Sequence, residues 1–163
     1  QRQGNAHPSI VPYQVFESAD GHLVLAVGND GQFARFCAVA GRADLATDPR
    51  YATNTERVRH RDELVAVVQQ LLRARGTADW VDALEAAGVP CAPILDVGQV
   101  FADPQVVARG MRRPAEGATP PAVLTPMRFD GQRPQAARPA PALDADGEAI
   151  RGWVARHGRW PDA

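Results

Sequence analysis

The residues best equipped for chemistry are few and scattered. Asn29 and Asp30 follow the apolar word Ala26-Val27-Gly28, His7 sits in Gly4-Asn5-Ala6-His7-Pro8, and Arg57, Arg59, His60 and Arg61 form a basic cluster. A guanidinium binds phosphate with a paired fork, so the cluster could meet a phosphorylated ligand or nucleic acid. Glu56, Asp62 and Glu63 stand beside it, and the local pattern therefore reads as a solvated stretch of mixed charge. Asn29 or Asp30 has a second role open to it, because a short side-chain oxygen accepts from the unpaired amides at a helix start. Cys37 lies on an apolar stripe and Cys91 opens an apolar run, which predicts inert, buried thiols.

Several chemistries are excluded. All 18 cations are arginine, which rules out a Schiff-base lysine and a P-loop lysine in this chain. The two cysteines form no C-x-x-C and the four histidines form no H-E-x-x-H, so neither a zinc site nor a disulfide framework is indicated. With 18 cations against 19 anions interspersed, no broad field of one sign attracts nucleic acid or anionic lipid. The longest apolar run, Leu23 to Val27, is too short to span a bilayer. A soluble, cytoplasmic chain is expected, with no nucleic-acid or membrane partner.

The elements that must position these residues follow from periodicity. Tyr13 to Phe16 and His22 to Gly28 are β-rich and flank Ala19-Asp20-Gly21, where Gly21 can supply positive φ; this predicts a hairpin. Leu23 to Val27 is apolar on both faces and should be covered on both. Phe33, Phe36, Cys37 and Ala40 recur at helical spacing up to Gly41. A second helix is expected over 62–74 on the stripe Leu64, Val67, Val68, Leu71 and Leu72, and a third, capped by Thr77, carries Trp80, Val81 and Leu84 as far as Gly88. Cys91 to Leu95 reads as a short strand. Asp103-Pro104 opens a short helix ending near Gly110, and Asp48-Pro49 has the same form. Prolines then recur from Arg113 to Ala142 and predict an extended excursion. A last helix over 146–157 carries Ile150, Trp153 and Val154, whose apolar surface suits packing better than ligand stacking. The composite is an α/β (α+β) unit: a short antiparallel sheet with a hairpin, flanked by several helices and followed by a Pro-rich tail.

Specific words say more than the pattern does. These are Gly4-Asn5-Ala6-His7-Pro8, Val11-Pro12-Tyr13-Gln14-Val15-Phe16, Ala19-Asp20-Gly21, Ala26-Val27-Gly28-Asn29-Asp30 with Gln32-Phe33, Asp48-Pro49-Arg50-Tyr51, Thr53-Asn54, Arg57-Val58, Trp80, Ala87-Gly88-Val89-Pro90-Cys91-Ala92-Pro93, and Val100-Phe101 with Asp103-Pro104-Gln105. In order and spacing they resemble the C-terminal portion, small domain included, of class III CoA-transferases of the CaiB/BaiF type. The likeness runs from about Gly4 to Gly131. Beyond it the family's usual Leu-Gly-Glu-His-Thr is replaced by Leu143-Asp144-Ala145-Asp146-Gly147.

The resemblance implies a parent about twice this length, and the chain begins Gln1-Arg2-Gln3-Gly4-Asn5 as though entered in mid-protein. A large Rossmann-like domain would supply an aspartate nucleophile and most CoA contacts, and two subunits would interlock as a homodimer. Coenzyme A enters as substrate, with no covalently bound cofactor and no metal. No aspartate of this chain matches the nucleophile's motif, so no catalytic residue is assigned here and the chain alone is expected to be inactive. The expected organisation is a loop segment over 1–12, a small domain over 13–112, and a tail over 113–163 that packs on the large domain.

Two segments are expected near the acyl-CoA. Gly4, Asn5, Ala6 and His7 stand where relatives carry a glycine-rich loop shielding the reactive intermediate; small residues there let backbone amides approach an oxyanion. Asn29 and Asp30 stand where the related acyl-CoA racemases carry a glutamate, although helix capping suffices to account for Asp30. An α-methylacyl-CoA racemase fragment and a noncatalytic dimerisation module are the alternative readings.

Overall fold

A computed structural model describes residues 4–113, 122–134 and 141–158. The chain divides into two compact units, Gln1–Val97 and Gly98–Ala163.

In the first unit, β1 (Tyr13–Glu17) and β2 (His22–Ala26) pair antiparallel as the predicted hairpin. The turn differs in its device. Gly21 lacks a positive φ; instead its amide donates to Ser18 Oγ at 3.0 Å, and a Cβ there would sit 3.1 Å from Thr77 Oγ1. Glycine is needed for close approach.

Helix α1 (Asp30–Val39) begins where Asn29 Oδ1 accepts from the Gln32 amide at 2.9 Å. It ends at Gly41, whose φ of +68° no β-carbon-bearing residue adopts cheaply. The short helices α2 (Asp44–Thr47) and α3 (Asn54–Arg59) were not expected. Asp48-Pro49 opens no helix: the Asp48 carboxylate takes the Arg50 amide and guanidinium in a turn. Helices α4 (Arg61–Leu72) and α5 (Thr77–Ala86) follow the predicted stripes, and β3 (Cys91–Pro93) joins the sheet in the order β1-β2-β3. Thr77 does not cap α5 with its own side chain. The Asp20 carboxylate does so from the hairpin turn, accepting from Thr77 N at 2.7 Å and Thr77 Oγ1 at 2.9 Å.

The core lies on one face of the sheet. Phe16, Leu23 and Leu25 meet Phe33 and Phe36 of α1, Leu64, Val68 and Leu72 of α4, and Trp80 and Leu84 of α5, all buried in one cluster. Each large apolar side chain so buried contributes about 1.5–3 kcal/mol. The opposite face is covered less than its apolar sequence implied: Val24 and Ala26 are half-buried, and Tyr13 is exposed. Period-two alternation of full and partial burial is what a sheet with one packed face requires.

The outer edge of β1 is met by two side chains and one backbone amide. Val15 N donates to Asn5 Oδ1 at 3.0 Å, His7 N donates to Tyr13 O at 2.9 Å, and the Gln69 amide from α4 pairs with both backbone groups of Glu17.

The second unit holds α6 (Val97–Ala102), α7 (Pro104–Ala108), the two-residue strands β4 (Arg112–Arg113) and β5 (Ala122–Val123), and α8 (Gly147–His157). Asp103 caps α7 as expected, accepting from Gln105 N and Val106 N. None of its described residues is fully buried, and Val107, Val123, Met127 and Phe129 are exposed. Trp153 of α8 stacks on His157 with ring centroids 3.9 Å apart. Within the predicted extended stretch, residues 114–121 and 135–140 lie outside the described ones.

Candidate functional site

Tyr13 pairs with Ala26, so the chain entering β1 and the chain leaving β2 emerge at one end of the sheet. That register places residues 8–12 and residues 27–30 at this end, while residues 4–7 turn back along β1 as far as Val15. Val27 N closes the junction by donating to Pro12 O at 3.0 Å.

The first segment runs along β1. Gly4 has φ +60°, which explains glycine at that position. The Asn5 carboxamide and the His7 amide hold β1 as described, and the His7 ring stacks on Tyr13 with centroids 5.3 Å apart. Ser9 N donates to His7 Nδ1 at 3.2 Å, so the neutral ring carries its proton on Nε2. A cleft of about 440 Å³ opens beside this segment, lined by Gly4, Asn5, Ala6 and Gln14 with Arg61, Asp62 and Val65 of α4. It presents amide, guanidinium and carboxylate groups and no thiol or hydroxyl. Among the described residues no group of His, Cys, Asp and Glu is placed to hold a metal ion.

Asp30 has a role different from the predicted cap. Asn29 caps α1, whereas Asp30 Oδ1 accepts from Arg57 Nη2 at 2.8 Å and from Asn54 N at 2.9 Å. Arg57 overturns the reading of its cluster as solvated. Its side chain is 0% exposed against 54% for Asp30, and the guanidinium lies 4.5 Å from the Phe33 ring centroid. Nε donates to Val11 O at 2.7 Å and Nη1 to Tyr51 O at 2.9 Å. A buried cation survives only when paired and fully hydrogen-bonded, and Arg57 meets both conditions. Arg59, of the same cluster, is solvent-exposed and paired with Glu56 at 2.5 Å.

Asn54 completes the junction. Its Nδ2 donates to Ser9 O at 2.8 Å and its Oδ1 accepts from Val11 N at 3.2 Å, while Arg61 Nη2 donates to Pro8 O at 2.9 Å. Three side chains from α3 and α4 thus hold residues 8–11. Asn54 and Arg57 stood inside the words Thr53-Asn54 and Arg57-Val58, but no spacing in the sequence marks either as an anchor for a segment more than forty residues earlier.

The thiols lie apart from this junction. Cys37 is buried, and burial pushes its pKa up to about 11. Cys91 is only half-buried, short of the full burial expected, and burial raises its pKa as well.

Comparison with known proteins agrees with this architecture. Residues 1–147 match the family described as CoA-transferase family III. The succinate–glutarate CoA-transferase of Agrobacterium fabrum is 44% identical over 145 residues, covering 87% of this chain and 36% of that protein. The acetyl-CoA:oxalate CoA-transferase of Acetobacter aceti is 38% identical over 151 residues, covering 92% of this chain and 38% of that protein. A crystal structure of a CaiB/BaiF family protein from Brucella suis superposes with a TM-score of 0.79 at 40% identity, covering 94% of this chain and 40% of that one. The chain therefore spans about two-fifths of the length of the relatives it matches. With a matching family pattern over most of its length and a shared fold at 40% identity, the chain belongs to CoA-transferase family III.

Proposed function

We propose that this chain is the C-terminal portion of an enzyme that transfers CoA between an acyl-CoA and a carboxylic acid. The observation that carries the reading is its 44% identity over 145 residues to a succinate–glutarate CoA-transferase. In the proposed reaction an aspartate carboxylate outside this chain attacks the acyl-CoA carbonyl, expelling CoA thiolate and leaving a mixed anhydride. The thiolate attacks the aspartyl carbonyl, releases the first acid and forms an aspartyl-CoA thioester. The incoming carboxylate attacks that thioester, expelling thiolate again; the thiolate then takes the new acyl group and frees the aspartate. No oxidant is needed, and covalent catalysis splits one exchange into easier steps.

This chain's own contribution is the wall of the site. Residues 4–7 would border the acyl group, with the backbone there able to approach a developing oxyanion. Support comes from Gly4 at positive φ and from the cleft beside Asn5 and Ala6. The second unit, whose described residues bury no side chain fully, is suited to lie on another surface: the large domain of the same protein, within an interlocked homodimer.

The test is CoA exchange by the full-length protein carrying this chain, with succinyl-CoA or acetyl-CoA as donor and glutarate or oxalate as acceptor. Exchange with an aspartyl-CoA adduct trapped by hydroxylamine or detected by mass spectrometry is expected, and the isolated chain should show no turnover. A full-length protein that only epimerises acyl-CoA would overturn the reading.

A further inference from the structure

We infer that Asn54, acting with Arg57 and Asp30, is a positioning residue that fixes residues 4–11 at the end of the sheet. The inference rests on the reading above, in which residues 4–7 border the reacting acyl group.

The geometry is a closed set of bonds. Asn54 reaches residues 9 and 11 with the two ends of one carboxamide, as a neighbouring strand would reach alternate backbone groups. Its own amide donates to Asp30 Oδ1, the oxygen that also takes Arg57 Nη2. Arg57 Nε returns to Val11 O. Residue 11 is thereby held at both its amide and its carbonyl by the side chains of two residues, one of which donates to the Asp30 oxygen through its backbone amide and the other through its guanidinium. Upstream, Asn5 and His7 are fixed to β1 through Val15 N and Tyr13 O. The segment is tied to β1 at residues 5 and 7 and to α3 and α4 at residues 8, 9 and 11, so it serves as a fixed wall whose entry into β1 is set from α3.

Asp30 sits at the centre of this set while touching residues 4–11 only through Arg57 and Asn54. Its function is accordingly to place other groups, by accepting from both donors and by pairing the buried Arg57 charge. Misplacement of a reacting geometry by about 1 Å can cost on the order of a hundredfold in rate. Loss of the Asn54 carboxamide takes the partner from Ser9 O and from Val11 N, while Arg57 keeps Val11 O.

The experiment uses the full-length protein, with succinyl-CoA and glutarate as substrates, and compares Asn54→Ala and Asp30→Asn with the unsubstituted protein. For Asn54→Ala, kcat should fall about tenfold with KM for succinyl-CoA unchanged within twofold, and amide hydrogen exchange over 4–11 should rise about tenfold while α5 stays unchanged. Asp30→Asn retains an oxygen for both donors and should keep kcat within about threefold. The inference is overturned by unchanged exchange over 4–11 in Asn54→Ala, by faster exchange there with kcat intact, or by a hundredfold loss in Asp30→Asn without faster exchange. If the unsubstituted protein exchanges no CoA, the functional reading fails by itself, and the hydrogen-exchange comparison still decides whether Asn54 fixes the segment.

Discussion

Arg57 and Asp30 form an ion pair of unequal halves: 2.8 Å apart, with the guanidinium sealed from solvent and the carboxylate more than half open to it. The buried partner is the one with further obligations, to Val11 O and Tyr51 O. Replacing Arg57 by alanine strips two carbonyls of their donor and opens a cavity beside Phe33, and should destabilise the first unit by about 2–5 kcal/mol. Urea denaturation of Arg57→Ala and Asp30→Asn should rank the arginine variant well below the asparagine one. Equal midpoints would refute a structural role centred on Arg57.

Trp80 is buried between α4 and α5, and its indole Nε1 donates to Leu72 O at 2.8 Å. That carbonyl belongs to the last turn of α4, where no intrahelical amide remains to reach it. Trp80→Phe keeps most of the apolar volume and loses the donor, so a cost of about 1–3 kcal/mol is expected by chemical denaturation.

Asp20 should make the unit acid-sensitive. Its carboxyl is held below the ordinary aspartate range first by the Thr77 amide, then by the Thr77 and Ser18 hydroxyls. A depressed folded pKa means that the unfolded chain binds the proton more readily. The contribution is therefore complete above about pH 4, the ordinary aspartate range, and is lost as pH falls through the lower folded value. Asp20→Asn should lower Tm at pH 7 by a few degrees and flatten the decline below pH 4, as read by thermal melts across that window.

The two thiols should separate on alkylation. With its pKa at about 11, Cys37 is only about one part in a thousand thiolate at pH 8, and it is buried. Iodoacetamide at pH 8 should modify Cys91 first and reach Cys37 only on addition of denaturant, which peptide mass spectrometry resolves. Labelling of Cys37 at the same rate as Cys91 in the native protein would contradict the burial described.

What the sequence made legible was whatever repeats. The stripes Leu64-Val68-Leu72 and Trp80-Leu84 state their buried faces outright, whereas Leu23 to Val27, apolar throughout, gives no sign of which face packs. Contacts between residues far apart in sequence were not legible. Arg57 reads as one cation among acids because its pairing with Asp30 depends on α3 lying against the start of α1, which no local spacing records. The cap of α5 was misread for the same reason: Thr77 is a good capping residue, yet Asp20 arrives from the hairpin turn to do the work. Gly76 allows that approach, since a Cβ there would stand 3.0 Å from Asp20 Oδ2. Of the candidate site, the two segments were legible as words, and the link from Asp30 through Asn54 and Arg57 to residues 9 and 11 emerged only from the fold.

The closed margin of β1 carries a last consequence. A foreign strand arriving there finds Tyr13 O, Val15 N and both backbone groups of Glu17 already spent on His7, Asn5 and Gln69. A strand added on that side would first have to displace Asn5, His7 and Gln69, so in the folded unit this margin resists edge-to-edge association.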